Sequence, residues 1–113
     1  MANVPVNRET VLEFHKGGKV GMRQIKPLKT QNDLCLAYTP GVAHAVKEIA
    51  AKPETVFDYT SKRSLVAVVS DGTAILGLGD LGAAASIPVM EGKAVLFKAF
   101  GDVDAWPVPL NHC

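Results

Sequence analysis

The run Leu65-Val-Ala-Val-Val-Ser70 constrains this chain more than any other stretch. It is short, apolar and rich in β-branched residues, the composition of a buried strand. Asp71-Gly72 then makes a turn, and Ala74-Ile75-Leu76 is long enough only for a second short strand or an extended segment. A helical pattern follows from about Pro88 to Phe100, with Gly101 as its C-terminal stop. Beyond it, the segment from Asp104 to Leu110 alternates, with Trp106, Val108 and Leu110 in phase. Pro107 and Pro109 confine such a strand to a sheet edge. Strand, helix, strand in that order is an α/β pattern. The expected fold is a small mixed sheet flanked by helices.

Helices lead into this unit. Residues 8–16 read as a short helix closed by Gly17-Gly18, and residues 17–33 as a long, partly extended connection carrying Gly21, Pro27, Gln31 and Asn32. A second helix is better marked. Thr39 is a candidate N-cap with Pro40 in the first helical position. Val42, Ala45, Val46, Ile49 and Ala50 then recur at helical spacing up to Pro53, and residues 54–58 form a turn.

Composition narrows the function classes. The chain has 113 residues, 48% of them hydrophobic, which is enough for one core. Its 12 basic and 11 acidic residues leave a net charge of +1, and the basic ones are scattered. Neither nucleic acid nor an anionic membrane is therefore expected as the main partner. No apolar run reaches the roughly 18 residues of a membrane span, and the first residues lack the regions of a signal peptide. Cys35 and Cys113 are too few for a disulfide framework and read as free thiols of a reducing compartment, so a cytoplasmic location is expected.

Lys93 stands out within the helix after Pro88. With about 100° per residue and Lys93 at zero, Phe100 falls near about −20°, Val89 about −40°, Leu96 about −60°, Phe97 about +40° and Met90 about +60°. The lysine thus sits in the middle of an apolar stripe, opposite Glu91 and Lys98. A lysine held inward loses hydration, its neutral form becomes accessible, and it suits a base. The alternative is a lysine that runs along its own stem to the surface.

Gly77-Leu-Gly-Asp-Leu-Gly82 matches G-x-G-x-x-G, and Asp102 stands about 20 residues on, as a dinucleotide fingerprint requires. Two features argue against that reading. Too little chain follows Gly82 for the further βα units of a dinucleotide fold, and Pro88 interrupts the helix that should run from the last glycine. The competing reading is a tight backbone crossing, with Asp71-Gly72 as the preceding turn. His15, His44 and His112 have no companions at metal-ligand spacing. Cys35 reads as a small core residue, and Asp102 and Asp104 as solvated carboxylates.

Three segments together carry a resemblance. Leu36-Ala-Tyr-Thr-Pro-Gly-Val42, the whole stretch from Leu65 to Gly82, and Pro88-Val-Met-Glu-Gly-Lys-Ala-Val-Leu-Phe-Lys98 resemble, in order and spacing, the N-terminal domain of bacterial-type malic enzymes. The resemblance implies a malic-enzyme/amino-acid-dehydrogenase-like architecture, with residues 1–113 as a shortened substrate domain and the NAD(P)-binding domain absent. It implies oxidation and decarboxylation of L-malate to pyruvate and CO2, with NAD or NADP and Mg2+ or Mn2+, in a homodimer. Lys93 matches the base that takes the malate hydroxyl proton, and Tyr38 the acid that protonates the enolpyruvate carbon. By the same resemblance Gly77, Gly79 and Gly82 belong to this domain and not to the nucleotide fingerprint. The family's metal-binding acidic residues lie later than residue 113, so no metal ligand and no turnover by the chain alone are expected. One feature departs from the pattern: animal-type members carry a substrate-binding arginine after the Asp-Gly turn, and Thr73-Ala74 stands there in this chain. The readings from other classes are a self-associating domain and a small nucleotide-binding module built on Gly77–Gly82.

Overall fold

A computed structural model describes residues 4–111. The expectations for His112 and Cys113 lie outside the described residues. The chain forms two compact units, one of residues 1–21 with 66–113 and one of residues 22–65.

In the first unit, α1 (Arg8–His15) occupies the segment expected. Its start is fixed by a cap that the reading of the residues did not include. The Asn7 side chain accepts from the Thr10 N–H, and Thr10 reaches back to the Asn7 N–H, a reciprocal cap that satisfies two orphan donors. The strand β1 (Leu65–Ser70) pairs with β2 (Asp104–Pro109) in a two-stranded parallel sheet, with α5 (Ala83–Gly101) as the crossover packed on β2. The α/β class is the one expected, and the sheet of the described residues consists of these two strands. β1 is not the buried strand that its composition suggests: Leu65, Val66 and Val69 are 47%, 41% and 54% exposed. Ala74-Ile75-Leu76 forms no strand. It is folded into a tight loop in which the Ile75 N–H donates to the Gly79 carbonyl and Ile75 itself is buried.

β2 has its prolines in the one register a sheet tolerates. The Leu110 N–H donates to the Ser70 carbonyl at 2.9 Å. With a period of two, Trp106 and Val108 face β1 along the hydrogen-bonding direction, and Pro107 and Pro109 fall on the outer edge.

The crossover helix begins five residues before Pro88, directly after Gly82, and continues through the proline. The expectation that Pro88 breaks this helix is therefore corrected. The helix forgoes one internal bond there and is held by packing instead. Ser86, Met90 and Ala94 form its buried line, with the Ser86 hydroxyl donating to the Ala83 carbonyl at 2.6 Å. Gly101 is its last residue, but the left-handed cap falls one position later. Asp102, at φ +51°, caps it by donating its N–H to the carbonyls of Lys98 and Phe97.

The second unit is helical. α2 (Gln31–Ala37) replaces the end of the expected connection. Thr30 and Asp33 form a reciprocal cap at its start. α3 (Val42–Ala51) starts at Gly41, with no side-chain cap. Thr39 is thus not its N-cap, and the Thr39–Pro40 peptide is cis. Val42, Ala45 and Ile49 form its half-buried stripe, while Val46 and Ala50 are exposed. A 3-10 turn (Pro53–Thr55) and α4 (Val56–Tyr59) occupy the segment expected as a turn.

Candidate functional site

Tyr38 and Lys93 belong to different units. Tyr38 is the C-cap of α2: its N–H donates to the Leu34 carbonyl at 2.8 Å, and its own carbonyl accepts from the Val42 N–H at 2.6 Å. The backbone is pinned on both sides while the residue is 67% exposed. Behind it, Gly41 approaches α2 so closely that a Cβ there would stand 2.4 Å from the Cys35 carbonyl oxygen. The Tyr-Thr-Pro-Gly turn is therefore rigid at its base and free at the phenol.

Lys93 lies in the middle of α5 and is exposed. This corrects the expectation of an inward-facing lysine. Periodicity placed Lys93 among Val89, Met90, Leu96, Phe97 and Phe100, but of that stripe only Met90, at its edge, is buried. Val89, Phe97, Leu96 and Phe100 are 36%, 39%, 56% and 86% exposed. The buried line of Ser86, Met90 and Ala94 is centred about 60° further round the helix. α5 thus has one broad apolar face of which the unit covers only the side of Met90 and Ala94, and Lys93 projects from the uncovered part.

The glycine loop has the form of a crossing rather than a phosphate cradle. A dinucleotide loop aims its backbone N–H groups at the ligand. Here the Leu81 and Gly82 N–H groups both donate to the Gly72 carbonyl, at 3.1 and 3.2 Å, and the Leu78 N–H donates to the Ile75 carbonyl. Gly72 packs so tightly on this loop that a Cβ would fall 1.9 Å from the Gly82 oxygen. Gly77, Gly79 and Gly82 face open space. Of Gly77, Gly79 and Gly82, the last gives its N–H to this crossing, which weakens the nucleotide reading of the loop. Its acidic partner is also engaged elsewhere: Asp102 pairs with Lys98 at 2.8 Å, and Asp104 approaches the same ammonium at 3.4 Å. Hydrogen bonding to Lys98 holds the Asp102 carboxyl below the usual carboxylate range, and the two aspartates push the Lys98 ammonium up. Among the described residues no group of three or more His, Cys, Asp or Glu side chains is placed to hold a metal ion. Cys35 is half-buried.

The first unit also carries a shallow, mainly apolar groove of about 210 Å³, lined by Val20, Gly21, Ile87, Glu91, Trp106, Pro107 and Pro109. It holds one carboxylate and no acid–base pair. Among the described residues no helix is long and apolar enough to cross a membrane.

A parallel strand–helix–strand unit that spends its glycine loop on its own backbone defines an α/β domain without the phosphate cradle of a dinucleotide fold. The comparisons with known proteins make this particular. The family profile described as "Malic enzyme, N-terminal domain" matches residues 17–113, and the chain belongs to that family. It is 58% identical over 107 residues to the NADP-dependent malic enzyme of Rhizobium meliloti, covering 92% of this chain and 14% of that protein. It is 52% identical over 106 residues to the bifunctional malic/malolactic enzyme of Bacillus subtilis, covering 92% of this chain and 26% of that protein. Among solved structures, the malic enzyme of Pyrococcus horikoshii matches with a TM-score of 0.88 at 54% identity, over 92% of this chain and 25% of that one. The NAD-dependent malic enzyme of Thermotoga maritima gives 0.83 at 46% identity, over 96% and 28%. The chain thus spans between about a seventh and about a quarter of the length of these relatives.

Proposed function

We propose that this chain provides the proton-transfer residues of a malic enzyme that oxidises and decarboxylates L-malate to pyruvate and CO2 with NAD or NADP. The observation that carries the reading is the family match over residues 17–113, which contains both Tyr38 and Lys93. Their placement is consistent with it: each projects from its own unit on an anchored stretch of backbone, free to meet a substrate. Lys93 accepts the proton of the malate hydroxyl. Tyr38 returns a proton to the carbon that loses CO2. A divalent Mg2+ or Mn2+, when bound, supplies Lewis-acid polarisation of the carbonyl; the described residues present no ligand cluster for it. The chain by itself is read as inactive, and robust malate-dependent NADH or NADPH formation from it would overturn that.

The test is substitution in the enzyme that contains this chain. Lys93→Ala is expected to lower malate oxidation by about 10²–10⁴-fold, the usual contribution of a positioned base, with folding unchanged. Tyr38→Phe is expected to spare oxidation and to slow proton return to the product carbon. Near-normal malate oxidation by the lysine variant would remove its assignment.

A second reading, self-association, is favoured by the exposed apolar surface. Trp106 and Leu110 are 43% and 38% exposed beside the sheet, and the Lys93 face of α5 is uncovered. A homodimer is the expected product. Sedimentation that returns a monomer at about tens of micromolar, a range in which micromolar association is visible, contradicts it.

A further inference from the structure

Lys19 is half-buried, and two uncharged acceptors hold its ammonium: His15 Nε2 and the Pro88 carbonyl, each at 2.8 Å. Among the described residues no carboxylate lies within ion-pair distance of it. Lys16 and Lys98 of the same unit are paired, with Glu13 and with Asp102 and Asp104. Glu91 of α5 is engaged by the Lys19 backbone, whose N–H donates to Oε1 at 3.1 Å. An ammonium has three donors, so one is left without an acceptor among the described residues and is fixed in place by the other two. A head group anchored in this way loses less freedom on meeting an anion than a lysine in solvent does.

That donor lies beside Lys93. A Cβ on Gly92 would stand 3.6 Å from Lys19 Nζ, and Lys93 is the next residue. With neighbouring Cα atoms about 3.8 Å apart, Nζ is at most about 9 Å from the Lys93 Cα. Helical side chains lean toward the N-terminus, so Lys93 reaches back roughly 6 Å on its four-carbon stem, toward the turn whose Pro88 carbonyl holds Lys19. Lys93 is exposed, and Val89, which falls between the two lysines around the helix, is 36% exposed. A small acid can therefore present a hydroxyl to Lys93 and a carboxylate to Lys19 at once.

We propose, resting on the malate reading above, that Lys19 binds the carboxylate next to the hydroxyl of the 2-hydroxy acid and holds it while Lys93 takes the hydroxyl proton. The choice of carboxylate follows from the change in charge. The other carboxylate of malate leaves as neutral CO2. An ammonium on it would bind the ground state better than the transition state and slow the loss. The carboxylate beside the hydroxyl keeps its charge through to pyruvate, so a fixed cation there does not oppose the reaction.

The experiment is NMR of the lysine Cε–Hε signals of the chain, titrated with L-malate, L-lactate and acetate. Lactate keeps the 2-hydroxycarboxylate and lacks the leaving carboxylate; acetate has no hydroxyl. Lys19 is expected to shift saturably with malate and lactate, with dissociation constants of about 1–10 mM, the range for a few charge-assisted bonds at an open site. Acetate, without the bond to Lys93, is expected to bind about threefold or more weakly. Read at the Lys93 signal, Lys19→Gln is expected to weaken malate binding about tenfold and Lys19→Arg to retain most of it, with Ala94 amide protection as the check on folding. The parent titration decides the matter if the glutamine variant does not fold. The assignment is overturned if Lys19 does not respond saturably to malate, responds to malate but not to lactate, or responds equally to acetate. It is also overturned if the folded glutamine variant binds malate as the parent does, or if the arginine variant loses as much, which would make the role of Lys19 structural. The malate reading fails separately: Lys93→Ala would then keep malate oxidation in the enzyme that contains this chain, while lactate still shifts Lys19.

Discussion

Gly72→Ala is the substitution whose cost can be built most completely from the structure. Gly72 is at φ +76°, where an L side chain costs roughly 1–2 kcal/mol. Its new Cβ would stand 1.9 Å from the Gly82 oxygen, 2.2 Å from the Gly82 carbonyl carbon and 2.9 Å from the Ala83 nitrogen. All three are backbone atoms, so no side chain can turn aside. The Gly82 peptide has to move by about an ångström or more to reach ordinary contact. That displacement stretches the two bonds from the Leu81 and Gly82 N–H groups to the Gly72 carbonyl, each worth about 0.5–1.5 kcal/mol net. It also shifts the N-cap of α5. Strain and lost bonds together come to about 3 kcal/mol. With a urea slope of about 1.5 kcal/mol/M for a chain of this size, the midpoint falls by about 2 M. Two controls separate the contributions. Gly79→Ala shares the positive φ, at +86°, but meets nothing within 4 Å, so it isolates the torsional strain at about 1 kcal/mol. Gly77→Ala meets nothing within 4 Å and has no such φ, and stays within about 0.5 kcal/mol of the parent. The assay is equilibrium urea unfolding followed by far-UV circular dichroism. If Gly72→Ala costs no more than Gly79→Ala, the crossing is not the close backbone contact described, and the case against a nucleotide loop weakens with it.

Other substitutions test single links. Gly41→Ala has an ordinary φ but would place a Cβ 2.4 Å from the Cys35 oxygen, so it should destabilise the second unit by about 1–3 kcal/mol in the same urea assay. Met90→Ala removes a side chain that is 3% exposed and should cost about 2–3 kcal/mol, whereas Leu96→Ala on the uncovered face of the same helix should cost under about 1 kcal/mol. Thr30→Ala removes the cap of α2 and should cost about 1 kcal/mol. Asp33, its reciprocal partner, has its pKa lowered first by the Lys29 N–H and then by Thr30. Its contribution is therefore fully present above the unfolded carboxylate value of about 3.9 and is lost as the pH falls through the lower folded value, which acid titration of α2 amide protection should show.

What could be read from the residues was set by how local each determinant is. β1, α1 and the stripe of α3 follow from composition and period, and the edge placement of β2 follows from two prolines. α2 was hidden because Gly17, Gly18, Gly21 and Pro27 dominate the stretch before it. Yet Thr30-Gln-Asn-Asp33 has the cap spacing, with aspartate in place of the more usual glutamate, and that signal was available. The run of α5 through Pro88 was not legible, because packing of Ser86, Met90 and Ala94 outweighs a local cost that sequence rules price alone. Lys93 shows the sharper limit. Periodicity places residues on a common face, but a helix with a broad apolar face does not disclose which part of it its own unit covers. Tyr38 carried no signal of its own beyond an aromatic before a Pro-Gly turn, and its proposed role rests on family membership.

The register of Pro107 and Pro109 has a consequence for how this sheet can be built upon. With no N–H to offer at two consecutive outward positions, β2 cannot template a neighbour, so its side of the sheet is closed to hydrogen-bonded growth. β1 has no such block on its far side. Any additional strand, whether from the same polypeptide or another copy, must therefore lie beside Leu65–Ser70. The sheet is polar in its capacity for extension, and β1 becomes an interior strand the moment it is extended. The β-branched composition of that run, out of place on an exposed strand, is what such a position calls for.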